Sequence, residues 1–381
     1  MNCIYGRTIY TGKNVIENSY VVFDGGVIKD ISRRKKGTLE GSYEVITPAF
    51  IDAHSHIGMD RAAEPGSESE ANEKMDPFTV IEDALDSVQM DDASFRDSIE
   101  QGILYSCTVP GSGNILCGYS AVIKNYARNT SEALVARAGL KAAFGYNPMS
   151  TTHWKGQRPY TRMGALAMLR KKLGEVRIKT AKHARARGKA KRDIDFTAEE
   201  ETLRSVLQGR MCLRVHVHKT DDIAALLRIV DEFGLKVTVE HACDVHDGHV
   251  FRELKKRRIP VVYGPLDSFA YKVELKHENW RNIGCLLESG VEFGLMTDHP
   301  VILQKTLLLT LRWFLRFGCS RQEAIGIITA GNARILGIDN ILGTLEKKKW
   351  ASFTCWNGDP FDLASYPVAV YGEGNMLYSG N

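Results

Sequence analysis

Eight apolar runs of strand length, the helical patterning between most of them, and metal-type ligands at the ends of several runs together predict an α/β fold: a (β/α)8 TIM-like barrel. Strand-like pieces at both termini add a small β-sandwich domain built from the two chain ends. The expected division is 1–47 plus 341–381 for the composite β-domain and 48–340 for the barrel, with a basic insertion around 150–210.

The runs fall at about 49–54, 103–109, 119–124, 139–144, 212–217, 236–240, 259–263 and 291–297. Several are continuous Val/Ile/Leu stretches, as strands covered on both faces should be, and alternation with helices points to a parallel sheet. At the N-terminal flank, strand-like pieces at 4–10, 20–23 and 27–31 are broken by Gly12, Gly25 and Gly26. At the C-terminal flank similar pieces lie at 352–356, 368–371 and 376–378. Neither flank has enough strands for a stable sheet alone, so the two are expected to pair. The last helix before the C-terminal flank opens on Ser320-Arg-Gln-Glu323, which has capping-box spacing.

The chain has 381 residues, 44% hydrophobic and 25% charged, enough for one large domain and a small companion. A formal net charge of +4 carries no global bias toward nucleic acid or membrane. The eight cysteines (Cys3, Cys107, Cys117, Cys212, Cys243, Cys285, Cys319, Cys355) form no Cys-x-x-Cys pair and read as buried free thiols of a reducing compartment. With no signal-like start and no uninterrupted apolar stretch of spanning length, a cytoplasmic location is expected. The 145–212 gap is too long for a simple crossover and implies an excursion over the barrel mouth. Its basic run, Arg170 to Arg192, reads as a solvated face or a lid; without stacking aromatics, nucleic-acid contact is disfavoured.

Candidate ligands cluster at run ends. His54 and His56 stand at i and i+2 in Phe50-Ile-Asp-Ala-His-Ser-His, so both imidazoles leave a strand on one face and can share an ion. Later runs end in His216-Val-His218, Glu240-His241 and Thr297-Asp298. Strand parity puts His216 and His218 on the same face; His216 is favoured as ligand and His218 as a pocket residue. Each has a bland alternative: a satisfied polar pair for the first two histidines, a helix N-cap for Asp298. Convergence of four strand ends outweighs it. His153, His183, His246, His249 and His277 read as solvated residues.

These segments, with Asn332-Ala-Arg-Ile-Leu-Gly337 and Gly343-Thr-Leu-Glu, resemble the metal-dependent amidohydrolase superfamily over nearly the whole chain, most of all uncharacterised prokaryotic members near the imidazolonepropionases. The resemblance implies that His54, His56, His216 and Asp298 bind metal and that His241 binds a second ion or the attacking water. An ion of this kind, Zn2+ for preference, would lower the pKa of bound water to roughly 7. Asp298 would act as general base and then acid, and His241 or the ion would polarise the carbonyl.

Two departures qualify the resemblance. Relatives with two metals carry a bridging carbamylated lysine or glutamate after the fourth strand, whereas this chain reads Gly145-Tyr146-Asn147-Pro148, so one ion is favoured over two. Lys124 and Lys141 lie near third- and fourth-strand positions where a lysine can in principle be carbamylated, but the sequence singles out neither, and the expectation is surface or salt-bridged lysines. Related deaminases and imidazolonepropionases place a glutamate three residues after the fifth-strand histidine; here Lys219 stands there, or Asp221 if the register starts at His218.

The function expected is hydrolysis of an amide or cyclic-amide C–N bond of a small-molecule substrate, with His218, Asn147 and Arg162 facing that substrate. The alternatives are a catalytically silent scaffold of the same fold and, less favoured, a deaminase. No membrane partner is expected, and a homo-oligomer is compatible with the sequence.

Overall fold

The protein is described by a computed structural model over residues 1–380. Its larger sheet has eight strands that neighbour one another in chain order: β5 (Phe50–Ser55), β6 (Ile103–Thr108), β7 (Leu116–Lys124), β8 (Leu134–Ala143), β9 (Leu213–Val217), β10 (Val237–His241), β11 (Val261–Tyr263) and β12 (Phe293–Leu295). All of them overlap the apolar runs of the sequence. One runs the other way: β7 is antiparallel to both β6 and β8, while the remaining pairs are parallel. The connections 109–115 and 125–133 are shorter than the dozen or so residues a parallel crossover requires, so the chain turns back instead of crossing over.

The gap between β12 and β5 is bridged by side chains. Asn332 donates from Nδ2 to the carbonyls of Ile51 (2.6 Å) and Leu295 (2.8 Å), and its Oδ1 accepts from the Leu295 amide (2.9 Å). Gly294 makes room for it, since a Cβ there would lie 2.0 Å from the Asn332 Oδ1. Nearer the mouth, buried Asp52 accepts from the Thr297 amide (3.1 Å), the Thr297 hydroxyl and Gln304 Nε2 (2.9 Å), and burial raises its pKa to about 6. The sheet is thereby nearly closed.

The second sheet has seven strands in the order β15-β14-β13-β4-β1-β2-β3. Its N-terminal members are β1 (Asn2–Tyr10), β2 (Val15–Asp24), β3 (Val27–Ser32) and β4 (Thr38–Pro48), and its C-terminal members are β13 (Phe353–Trp356), β14 (Pro367–Gly372) and β15 (Asn375–Ser379). The two chain ends meet where β13 pairs antiparallel with β4, Phe353 opposite Pro48 and Trp356 opposite Val45. Ile4, Val21, Phe23, Ile46, Phe353 and Tyr371 form its core, with the Phe353 and Tyr371 rings stacked at 4.9 Å.

The excursion after β8 carries two longer helices, Arg162–Arg185 and Ala198–Leu207, with a single short turn of helix at Lys189–Arg192 between them; the Ala198–Leu207 helix is opened by a Thr197/Glu200 capping box. Four members of the basic run are engaged: Lys172 pairs with Glu199 (2.7 Å), Lys179 with Glu200 (2.6 Å) and Arg170 with Glu232 (2.7 Å), while Arg177 lies over the Phe233 ring. Leu169, Leu173 and Val176 are buried beneath. The first half of the run therefore packs as a helix of the outer layer. Among the described residues no helix is long and apolar enough to cross a membrane, and all eight cysteines are free.

Replacing Asn332 with Ala strips three hydrogen bonds from a buried seam, and unfolding in urea should show a loss of about 3 kcal/mol. A loss below about 1 kcal/mol would mean that the seam is held by other contacts.

Candidate metal centre

Strand parity builds the site. In β9, Arg214 and His216 share the inward face, and register sets Lys141 of β8 beside Arg214, and Glu240 of β10 beside His216. The barrel interior at this level is charged rather than aliphatic. Arg214 Nη2 lies 3.0 Å from Glu240 Oε1 and donates to the Ala53 carbonyl (2.9 Å), and both side chains are almost wholly buried. Burial alone would push the Glu240 carboxyl up, but Arg214, His54 and Thr238 hold it down to about 2. Glu240 Oε2 in turn accepts from His54 Nδ1 at 2.8 Å, which fixes the tautomer and turns the Nε2 lone pair toward the mouth.

His56 is oriented in the same manner, its Nδ1 donating to the Val109 carbonyl (2.7 Å). Asp298 Oδ1 then stands 3.4 Å from His54 Nε2 and 3.2 Å from His56 Nε2. Burial, with Lys141 next to it, lowers the His54 pKa; Asp298 is held well below the carboxylate range by His241, His54 and His56 despite its burial. A carboxylate oxygen facing two imidazole lone pairs is repulsive unless a cation lies between them.

A second group sits beside the first. His241 should by alternation point away from the interior with Val237 and Val239, yet its φ of +79° ends the strand and swings the ring into the mouth. Its Nδ1 donates to the Gly264 carbonyl (2.9 Å), and its Nε2 lies 2.7 Å from His216 Nδ1. Burial brings His216 down to about 4 and holds His218 and His241 well below the histidine range, so three neutral rings meet here. His218 Nδ1 is buried without a hydrogen-bond partner. Ligand atoms of His54, His56 and Asp298 lie within 4.8 Å of one another, as do those of His216, His218 and His241. Asp298, like His241, holds a left-handed backbone, φ +51°.

Lys141 corrects an expectation. It is neither at the surface nor in a salt bridge: it is completely buried, with Nζ 3.1 Å from His54 Nε2, and burial lowers its pKa. Tyr146, on which the expectation of a single ion rested, is 43% exposed and offers the mouth only its backbone, donating to Glu274 Oε2 (2.8 Å). Lys124 pairs with Glu373 (2.7 Å).

Asn147 has its Nδ2 3.2 Å from His216 Nε2 and hydrogen-bonded to Ser112. Arg162 is occupied differently: its Nε and Nη2 grip buried Asp222 at 2.6 and 3.1 Å, tying the inserted helix to the start of the Thr220–Phe233 helix. Asp221 is exposed on that helix and Lys219 turns to Asp244 (3.6 Å), so neither places a carboxylate by His216. That place is taken by Glu274, which sequence reasoning missed. Its Oε1 lies 3.7 Å from His216 Nε2 and 2.9 Å from Lys272 Nζ, which also donates to Asn147 Oδ1 (3.0 Å). Both come from the loop between β11 and β12, where no periodicity marks them.

Barrel and donor sets together are those of a metal-dependent amidohydrolase-type enzyme. The Amidohydrolase family profile matches residues 45–376, and the chain belongs to that family. The crystal structure of an amidohydrolase from Thermotoga maritima MSB8 superposes with a TM-score of 0.93 at 30% identity, covering 100% of both chains. A prolidase complexed with N-methylphosphonate-L-proline shares the fold, with a TM-score of 0.64, 14% identity and 100% coverage of both chains. The amidohydrolase tasK of Hapsidospora irregularis is 23% identical over 366 residues, 87% of this chain; the match spans only 36% of that longer protein.

Glu240→Gln keeps the shape of the side chain but removes the charge that orients His54. Metal affinity should fall about 10- to 100-fold, read by competition with a chromophoric chelator. Unchanged affinity would show that Glu240 serves only to neutralise Arg214.

Proposed function

We propose that the protein hydrolyses an amide-type C–N bond of a small molecule with a pair of divalent ions, zinc for preference. His54, His56 and Asp298 would hold one ion, and His216 with His241 the other. The observation that carries this reading is Lys141, a buried amine of lowered pKa beside His54 and within electrostatic reach of His216. A neutral amine adds CO2 at nitrogen and loses a proton, giving an anionic carbamate that can bridge two cations. Lys141 would thus supply the carboxylate that Tyr146 cannot, which revises the single-ion expectation.

Bound there, divalent ions bring the pKa of water to roughly 7 and polarise a carbonyl. The remaining work falls to side chains of the chain itself. Asp298, kept ionised, takes the proton of the attacking water and returns it to the leaving nitrogen. His218, whose Nδ1 is buried without a partner, would hydrogen-bond the carbonyl oxygen as charge develops on it. Asn147, Lys272 and Glu274 line the wall beside His216 and would orient the rest of the substrate. The ligand side chains are largely buried, which limits the access of competing water. The motif position of the ring-directed relatives' glutamate holds Lys219 or exposed Asp221, and Glu274, which stands by His216 instead, is ion-paired with Lys272, so the proposal is plain C–N hydrolysis rather than deamination.

Asp298→Asn should leave the circular dichroism spectrum unchanged and lower kcat by about 10²- to 10⁴-fold on any amide the protein cleaves; retained turnover would remove Asp298 from the chemistry. Metal-stripped His246→Ala/His277→Ala protein, which lacks the peripheral ligands described below, should regain two zinc ions at the barrel mouth only when bicarbonate is present, and adding Lys141→Ala should prevent it from regaining both. Full reconstitution without bicarbonate, or by Lys141→Ala, contradicts the bridging role.

A further inference from the structure

A third group of ligand-type side chains lies outside this centre. Asp244 and His246 follow β10, and His277 comes from the β11–β12 loop; one ligand atom of each lies within 4.8 Å of the others. The Asp244 side chain is only 3% exposed although both histidines reach solvent. It is held in place by the His277 amide, which donates to Oδ1 at 2.6 Å, and its Oδ2 lies 3.4 Å from His277 Nδ1. His246 Nδ1 donates to the Asp244 carbonyl (2.9 Å), which leaves Nε2 with the lone pair. The two rings lie 4.2 Å apart and 36° from parallel. Asn282 Nδ2 donates to the carbonyls of both Cys243 and His277, so the two segments are already pinned together beneath the rings.

We propose that Asp244, His246 and His277 form a peripheral binding site for a borderline divalent cation of the zinc type. Two imidazoles and one carboxylate suit such an ion, with water completing the shell. Among the described residues the one lysine or arginine ion-paired with Asp244 is Lys219, with Nζ 3.6 Å from Oδ2 and its side chain about a quarter exposed, free to swing into solvent when an ion arrives. The loop that supplies His277 also supplies Lys272 and Glu274, so an ion here clamps the wall of the catalytic mouth to the end of β10. The site stands whether or not the central reading holds, because it uses none of the same residues.

The test compares the metal-loaded protein with His246→Ala/His277→Ala in equilibrium dialysis over a series of free zinc concentrations. The double variant should hold one zinc fewer per chain. Tryptic cleavage after exposed Lys276 should slow about tenfold in the parent protein when free zinc is ten times the dissociation constant, and not in the variant. Should the double variant fold poorly, His246→Ala alone, at an exposed position, must show the same loss. Equal zinc counts in parent and variant, or zinc protection that survives the substitution, overturn the proposal.

Discussion

The structure turns on a concentration of lone pairs. Within one end of a barrel, ring nitrogens of His54, His56, His216 and His241 crowd against the Asp298 carboxylate; three of the rings give their Nδ1 protons to outside acceptors, while His216 Nδ1 donates to His241 Nε2. His54 gives its proton to Glu240, His56 to the Val109 carbonyl and His241 to the Gly264 carbonyl. Such a set is stable when a cation satisfies it and strained when none does. Behind this set stands the Arg214–Glu240 pair, whose carboxylate accepts the His54 Nδ1 proton.

That pair is expensive by itself. An arginine and a glutamate inside a barrel lose their hydration, and aliphatic residues of equal volume would commonly be as stable or more so. Its retention makes sense if the stability forgone is exchanged for the orientation of His54. The left-handed backbone at His241 and Asp298 has the same character: two non-glycine residues sit in a sparsely populated region where their side chains meet the other ligands. Neither feature helps the fold; both aim a ligand.

Much of this was legible along the chain, and the parts that were not have definite causes. His54, His56 and His216 follow from period-two parity at strand ends, and the motif at Asp298 names itself. His241 was readable as a motif residue, although strict alternation would have sent it outward. Lys141 was not, because a lysine among small residues in Leu140-Lys-Ala-Ala can face either way until register with Arg214 decides. Glu274 and Lys272 belong to a loop whose path no periodicity reveals. The strand β4 escaped notice because its first half, Thr38 to Glu44, is polar and largely exposed, while only Val45 to Pro48 is buried. The reversed direction of β7 was implicit in connections too short for a crossover, a length argument that alternation of apolar runs conceals.

Anomalous diffraction at the zinc edge from crystals of the zinc-loaded protein tests the central claim most directly. Two peaks are expected at the barrel mouth, one contacted by His54, His56 and Asp298 and the other by His216 and His241, with continuous density from Lys141 between them. A single peak with a bare Lys141 amine would contradict the account.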